Sequence, residues 1–169
     1  VALAKTIGCN IHGGYSLNVT NTAAFEWYEQ LGLTDLELSY ELTLKQSAKI
    51  GGNLPRGLLL YGRLPLMLCR NCPGKNDGKN CKNCNGTTWL TDRKNIKFPV
   101  QCDYGCSEVL NAVPLTMSDR ISDISGMNFG TLRFTVENSV EIEETFQQFL
   151  YQKAPLGHYP RGLSEKGLQ

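Results

Sequence analysis

The sequence predicts an α/β fold: part of a TIM-barrel-like β/α barrel, with an antiparallel β excursion and a cysteine-rich, metal-binding loop. Three observations point there. Four β-like segments are each followed by a helix or a crossover. The chain's 169 residues fall short of the roughly 250 that a complete eight-unit barrel needs. Cys69, Cys72, Cys81 and Cys84 stand at C-x2-C-x8-C-x2-C spacing in a stretch with little else apolar. A partial barrel leaves sheet edges that must be covered or paired. The expected partner is therefore the remainder of a longer polypeptide or a second copy of the chain. A first residue Val1 in place of Met, and a domain-interior character over residues 1–7, agree with such a fragment.

The elements follow in order. Residues 7–11 read as a short strand before the turn-prone pair Gly13-Gly14. Tyr15, Leu17 and Val19 alternate, which suggests a further extended piece. Asn21 or Thr22 is suited to cap a helix over 23–31, where Phe25, Tyr28 and Leu31 share a face and Gly32 is the stop. Leu36 and Leu38 mark a strand. Thr43 is suited to cap a second helix through residue 50, ended by Gly51-Gly52. Residues 58–61 are an apolar run of the kind buried in parallel sheets; Gly62-Arg63 and a second apolar run over 64–68 follow. Residues 69–86 form a polar loop whose order would depend on metal. Residues 89–90, 98–101 and 109–113 resemble antiparallel strands around turns at 93–95 and 103–105. A helix over 118–124, a strand over 131–136 and a helix over 139–151 complete the pattern, the last with Ile142, Phe146, Phe149 and Leu150 as its apolar stripe. The domain spans 1–156, with the cysteine-rich loop at 69–86 and the antiparallel segment at 87–113; 157–169 has the composition of a tail.

Seventeen Lys and Arg against sixteen Asp and Glu give a net charge of +1. That balance predicts neither a bulk DNA binder nor a membrane-surface protein. No apolar run reaches membrane-span length, and the amino terminus lacks signal-peptide order. Seven cysteines are a moderate and odd number, unlike a disulfide scaffold. A cytoplasmic protein without a membrane partner is expected. Arg70, Lys75, Lys79, Lys82, Arg93, Lys94 and Lys97 surround the cysteine-rich middle. They read as a solvated face near thiolates, and would favour RNA if they formed one continuous stripe.

Thiolates select zinc or iron–sulfur, and four of them close a tetrahedral site. Cys102 and Cys106 raise the candidates to six, any four of which could serve. Buried small hydrophobes are the competing reading. Asn71, Gly74, Lys75, Asn76, Asp77, Gly78, Lys79 and Asn80 leave almost nothing apolar to build a core around them. A four-thiolate site has no open position for activated water, so its role would be structural or redox. His12 and His158 are the two histidines, far apart and outside any zinc-protease motif. Pairing His12 as a base with Cys9 or Cys106 would need the fold to join them; a strand-end role for His12 is the plainer reading. Glu41, Arg63 and Glu137 each follow a predicted strand, where barrel enzymes place their chemistry. Arg63 could hold an anionic group through its fork, with Glu41 or Glu137 as base or as its anchor. The competing reading has Glu41 at a helix start and Glu137 facing solvent. Asp92 and Arg93 read as a turn pair.

Several runs resemble the U32 peptidase family, also called collagenase-like. They are Gly62-Arg63-Leu64-Pro65-Leu66-Met67, the cysteine-rich loop, Leu90-Thr91-Asp92-Arg93-Lys94, Phe98-Pro99-Val100 and Cys106-Ser107-Glu108-Val109-Leu110-Asn111. His12-Gly13-Gly14-Tyr15-Ser16-Leu17-Asn18-Val19 and Leu38-Ser39-Tyr40-Glu41-Leu42-Thr43 resemble two earlier landmarks, and Phe134-Thr135-Val136-Glu137 a later one. Together they span roughly residues 2 to 165. The resemblance implies the carboxyl-terminal half of a longer β/α-barrel-like catalytic domain. It implies a peptidase (collagenase-like protease) with a cysteine-ligated metal site; the catalytic candidates Glu41, Arg63 and Glu137 rest on their strand-end positions. Other members are associated with oxygen-independent hydroxylation of ubiquinone precursors or of uridine in RNA, and some hold a [4Fe–4S] cluster. An iron–sulfur-dependent hydroxylase acting on RNA or a quinone precursor is thus one alternative. A non-catalytic half-domain binding RNA or peptide is another. Positional carry-over assigns Cys72, Cys81, Cys84 and Cys102 as ligands, with Cys69 and Cys106 as alternates. Iron–sulfur relatives carry a cysteine soon after the Gly matching Gly62, where this chain has Leu64-Pro65-Leu66-Met67. Cys84 would substitute, and zinc becomes an alternative to the cluster.

Overall fold

The computed structural model describes residues 2–75, 86–103, 105–155 and 159. In chain order the elements begin with α1 (Ala2–Thr6), β1 (His12–Gly13), α2 (Thr22–Gln30), β2 (Asp35–Glu37), α3 (Leu44–Ser47), β3 (Arg56–Gly62) and β4 (Pro65–Cys69). They continue with β5 (Thr87–Thr91), β6 (Lys97–Asp103), β7 (Cys106–Leu110), β8 (Leu115–Thr116), β9 (Phe129–Arg133) and α4 (Ser139–Leu150). Short 3-10 turns cover Tyr15–Leu17, Pro73–Lys75 and Ile121–Asp123. Among the described residues no helix is long and apolar enough to cross a membrane.

Two open sheets result, and this corrects the barrel expectation. The main sheet runs β1-β2-β3-β9 in parallel. β8 lies antiparallel against the carboxyl end of β3, pairing Tyr61 with Thr116 and Gly62 with Leu115. The second sheet is wholly antiparallel, in the order β4-β7-β6-β5. A barrel needs a continuous ladder around its circumference. Here β2 meets β3 only at its first two residues, Arg56 and Gly57. Beyond them β8 takes over the same side in the opposite direction, which leaves the parallel ladder short and open.

One apolar cluster supports the main sheet: Val19, Phe25, Leu33, Leu36, Leu38 and Leu58. Asn21 caps α2 by accepting the Ala24 N–H at 2.9 Å, which turns Phe25 into the core. Gly32 ends the helix at φ +76°. Arg56 covers the Phe25 ring, 4.4 Å from its centroid, and donates to the carbonyls of Ile50 and Gly52. Thr43 and Gln46 form a reciprocal capping box, but α3 lasts four residues rather than running to residue 50.

Local turn chemistry overrode three further expectations. Residues 7–11 close α1, with the Cys9 N–H bonded to the Ala4 carbonyl and Gly8 at φ +70°, and so form no strand. Tyr15–Leu17 coils because Leu17 N–H reaches the Gly14 carbonyl and Asn18 turns left-handed at φ +49°. The helix expected over 118–124 shrinks to the single turn Ile121–Asp123. In α4 the capping box runs from Asn138 to Glu141.

Candidate functional site

Polar side chains gather where the parallel strands end and the antiparallel sheet begins. Gly62 makes the approach possible. Its φ is +147°, and a Cβ there would sit 2.9 Å from the Arg133 carbonyl oxygen. Any other residue would push β9 away from β3 at the level where Arg133 projects. Leu36 and Leu38 turn into the apolar core, so strand alternation sends Glu37 to the opposite face of the sheet.

Glu37 is 5 % exposed. Its Oε2 accepts the Tyr15 N–H at 2.9 Å, and its Oε1 has no hydrogen-bond partner among the described residues. The Tyr15 ring packs against Tyr40, with centroids 5.6 Å apart. The Arg133 guanidinium carbon stands 5.4 Å from the same Tyr15 ring's centroid. Arg133 Nη2 donates to Glu108 of β7 at 2.7 Å, while its buried Nη1 has no partner among the described residues. Arg133, Glu108, Gln101, Cys106 and Leu68 line a cavity of about 210 Å³. Burial raises the Tyr15 hydroxyl above its ordinary acidity range, partly offset by Arg133. Burial, followed by the charge of Glu41, raises that of Tyr40.

Arg63 and Glu137 meet beside this cleft. Arg63 Nε stands 3.4 Å from Glu137 Oε1, and Arg63 Nη1 donates to the carbonyls of Asn111, at 3.1 Å, and Ala112. Glu137 is buried, with its side chain 4 % exposed, rather than solvent-facing. Its Oε2 accepts the N–H groups of Thr135 at 2.6 Å and Val136 at 3.0 Å, and its Oε1 accepts the Tyr61 hydroxyl at 3.3 Å. Burial and the Glu137 charge push the Tyr61 hydroxyl up to about 12. Tyr61, Arg63, Glu137 and residues of α4 line a second cavity of about 230 Å³. Glu41 makes no hydrogen bond or ion pair with Arg63 or Glu137 among the described residues. Its backbone N–H donates to Ser39 Oγ, and its charge acts on Tyr40. His12 pairs with Asp35 at 2.6 Å, which gives it a strand-end role.

The metal expectation, zinc or a [4Fe–4S] cluster, is corrected. Among the described residues no group of three or more His, Cys, Asp or Glu is arranged to hold a metal ion. Cys102 donates to Cys72 across 3.5 Å, and Ser107 Oγ lies 3.2 Å from Cys102. Burial raises the Cys72 thiol, but hydrogen bonds from Cys102, Ser107 and the backbone of Gly74 and Lys75 outweigh it and hold the thiol below its usual value. Cys69 and Cys106 make no hydrogen bond to this pair among the described residues, and Cys81 and Cys84 lie outside those residues. Two cysteine sulfurs are half of a tetrahedral set. The peptidase reading with a cysteine-ligated metal, and the alternatives expected with it, are withdrawn on this ground.

Tyr15, Glu37, Tyr40, Glu108 and Arg133 escaped the sequence reading. Glu37 alone left a signal there, as the one charge in the run Leu36-Glu37-Leu38. Comparison with protein-family models, with curated proteins and with solved structures finds no match.

Proposed function

We propose that this chain is a small-molecule-binding α/β unit whose site is the polar cleft between the carboxyl ends of β2, β3 and β9 and the antiparallel sheet. One observation carries the reading. Glu37 Oε1 and Arg133 Nη1 are both buried without a hydrogen-bond partner among the described residues, and both residues contact Tyr15, Glu37 at its backbone N–H and Arg133 over its ring. An unsatisfied buried polar atom costs about 1–3 kcal/mol, a cost that a ligand's own polar groups would offset. The carboxyl ends of parallel strands are also where α/β folds bind ligands.

The charges select the ligand class. Glu37 and Glu108 against Arg133 leave one negative charge to balance. The fitting ligand brings a protonated amine to Glu37 and a neutral carbonyl oxygen to Arg133. Arg63 and Glu137 are positioning residues in this reading, holding the antiparallel sheet at the cleft; Glu41 tunes Tyr40. The resemblance to the U32 family remains a proposal of ancestry, supported by the order of its motifs and carrying no peptidase chemistry. A cytoplasmic setting belongs to the same proposal, supported by the thiols of Cys9, Cys69, Cys72 and Cys106. So does a cover for the open face of the main sheet, where Phe129 is 36 % exposed, by a second copy or another part of a longer polypeptide.

Titration calorimetry with glycinamide, methylammonium and acetate tests the site. Saturable heat from glycinamide, weaker or absent with either half-ligand and lost in Glu37→Gln, is the expected result. Equal heats for all three in wild type and variant would overturn it.

A further inference from the structure

We propose that Cys72 and Cys102 form a reversible disulfide, a redox site separate from the polar cleft. Their sulfurs stand 3.5 Å apart, although thirty positions separate them in the chain. A disulfide bond needs about 2 Å, so the two sulfurs have to approach further by side-chain rotation. Backbone packing holds both residues in place. Cys102 sits in β6, paired with Ser107 of β7, and its N–H donates to the Gly86 carbonyl at 2.7 Å. Cys72 precedes the turn Pro73–Lys75, closed by the Lys75 N–H on the Cys72 carbonyl at 3.0 Å. Gly74 in that turn is buried against Thr88 of β5; a Cβ there would meet Thr88 Cγ2 at 2.6 Å. Both cysteines are partly solvent-exposed, so an oxidant can reach them.

The oxidant is a low-molecular-weight disulfide such as oxidised glutathione. The Cys72 sulfur attacks one sulfur of that disulfide, forms a mixed disulfide and releases one glutathione thiolate. The Cys102 sulfur then attacks the Cys72 sulfur and displaces the second glutathione. Two electrons pass from the protein sulfurs to the small disulfide, and the two thiol protons end on the two released glutathiones. The bond ties the start of the cysteine-rich loop to β6 and encloses β5 between its ends. Reduced glutathione in excess reverses both steps.

The full-length chain, equilibrated in glutathione buffers of graded redox ratio, quenched with an alkylating reagent and mapped by mass spectrometry, tests this. Cys72 and Cys102 should lose alkylation together as the oxidised fraction rises and appear in one cross-linked peptide. That peptide should persist in the double variant Cys81→Ser, Cys84→Ser. In Cys102→Ser, Cys72 should instead retain glutathione as the mixed disulfide. Full alkylation of Cys72 and Cys102 at every ratio would overturn the proposal. So would cross-links joining either of them to Cys81 or Cys84 in place of each other.

Discussion

The two sheets both bury apolar side chains, Val100 and Leu110 being fully buried in the antiparallel one, but they are anchored differently. The parallel sheet rests on a buried apolar cluster in which Val19, Phe25, Leu36 and Leu38 are fully buried. The antiparallel sheet grows from the carboxyl end of β3 and is fastened there by polar ties. These are Arg63 to the Asn111 and Ala112 carbonyls, Arg133 to Glu108, and Gln101 Nε2 to the Thr135 carbonyl at 2.8 Å. Its outer strand β4 exposes Leu66, Met67 and Leu68. Burial is non-directional and spread over many contacts, whereas a polar tie depends on one geometry. Core substitutions should therefore weaken the whole molecule, and substitutions at the ties should loosen one sheet against the other.

The largest effect is expected in the first region. Phe25→Ala removes a fully buried ring that also supports Arg56 and should cost about 3–5 kcal/mol. Chemical denaturation should report it as one cooperative loss. Arg63→Met should cost less, about 1.5–3 kcal/mol for lost hydrogen bonds of a charged group. Its signature is regional: amide hydrogen exchange should accelerate in β4 through β7 more than in β1 through β3. Uniform acceleration across both sheets would erase the proposed distinction.

Alkaline pH probes the junction. The Tyr61 hydroxyl is raised from 10.0 to about 12, so between those values the folded protein holds a proton that the unfolded chain releases. Its stabilising share is fully present below pH 10 and is lost as pH rises through about 12. Denaturation curves over that window should show the decline, and Tyr61→Phe should reduce its slope. The smallest effect is expected on the open strand. Leu68 is 74 % exposed, and Leu68→Lys should change stability by no more than about 0.5 kcal/mol.

The same contrast decides what the sequence made legible. Periodicity and caps are local, so α2, α4, β3 and the antiparallel segment could be read from Phe25, Asn21, the apolar run at 58–61 and the alternation near Val100 and Val109. Strand pairing is not local. Nothing near residue 115 announces that β8 will turn back against β3 and interrupt the parallel ladder. The site follows the same rule. Arg63 and Glu137 carried a positional signal at strand ends and do meet. Arg133 and Glu108 are twenty-five positions apart, on strands of different sheets, and meet only in the folded chain. The cysteine spacing was the loudest local signal, yet the contact between Cys72 and Cys102 joins residues from two different elements.

The most direct test of the cleft is its location, mapped by amide chemical shifts while glycinamide is added to the isotopically labelled chain. Saturable shifts centred on Tyr15, Glu37, Tyr40, Glu108 and Arg133, abolished by Arg133→Met while the spectrum stays folded, are the predicted result. Non-saturating shifts scattered over exposed acidic residues, unchanged in that variant, would contradict the account.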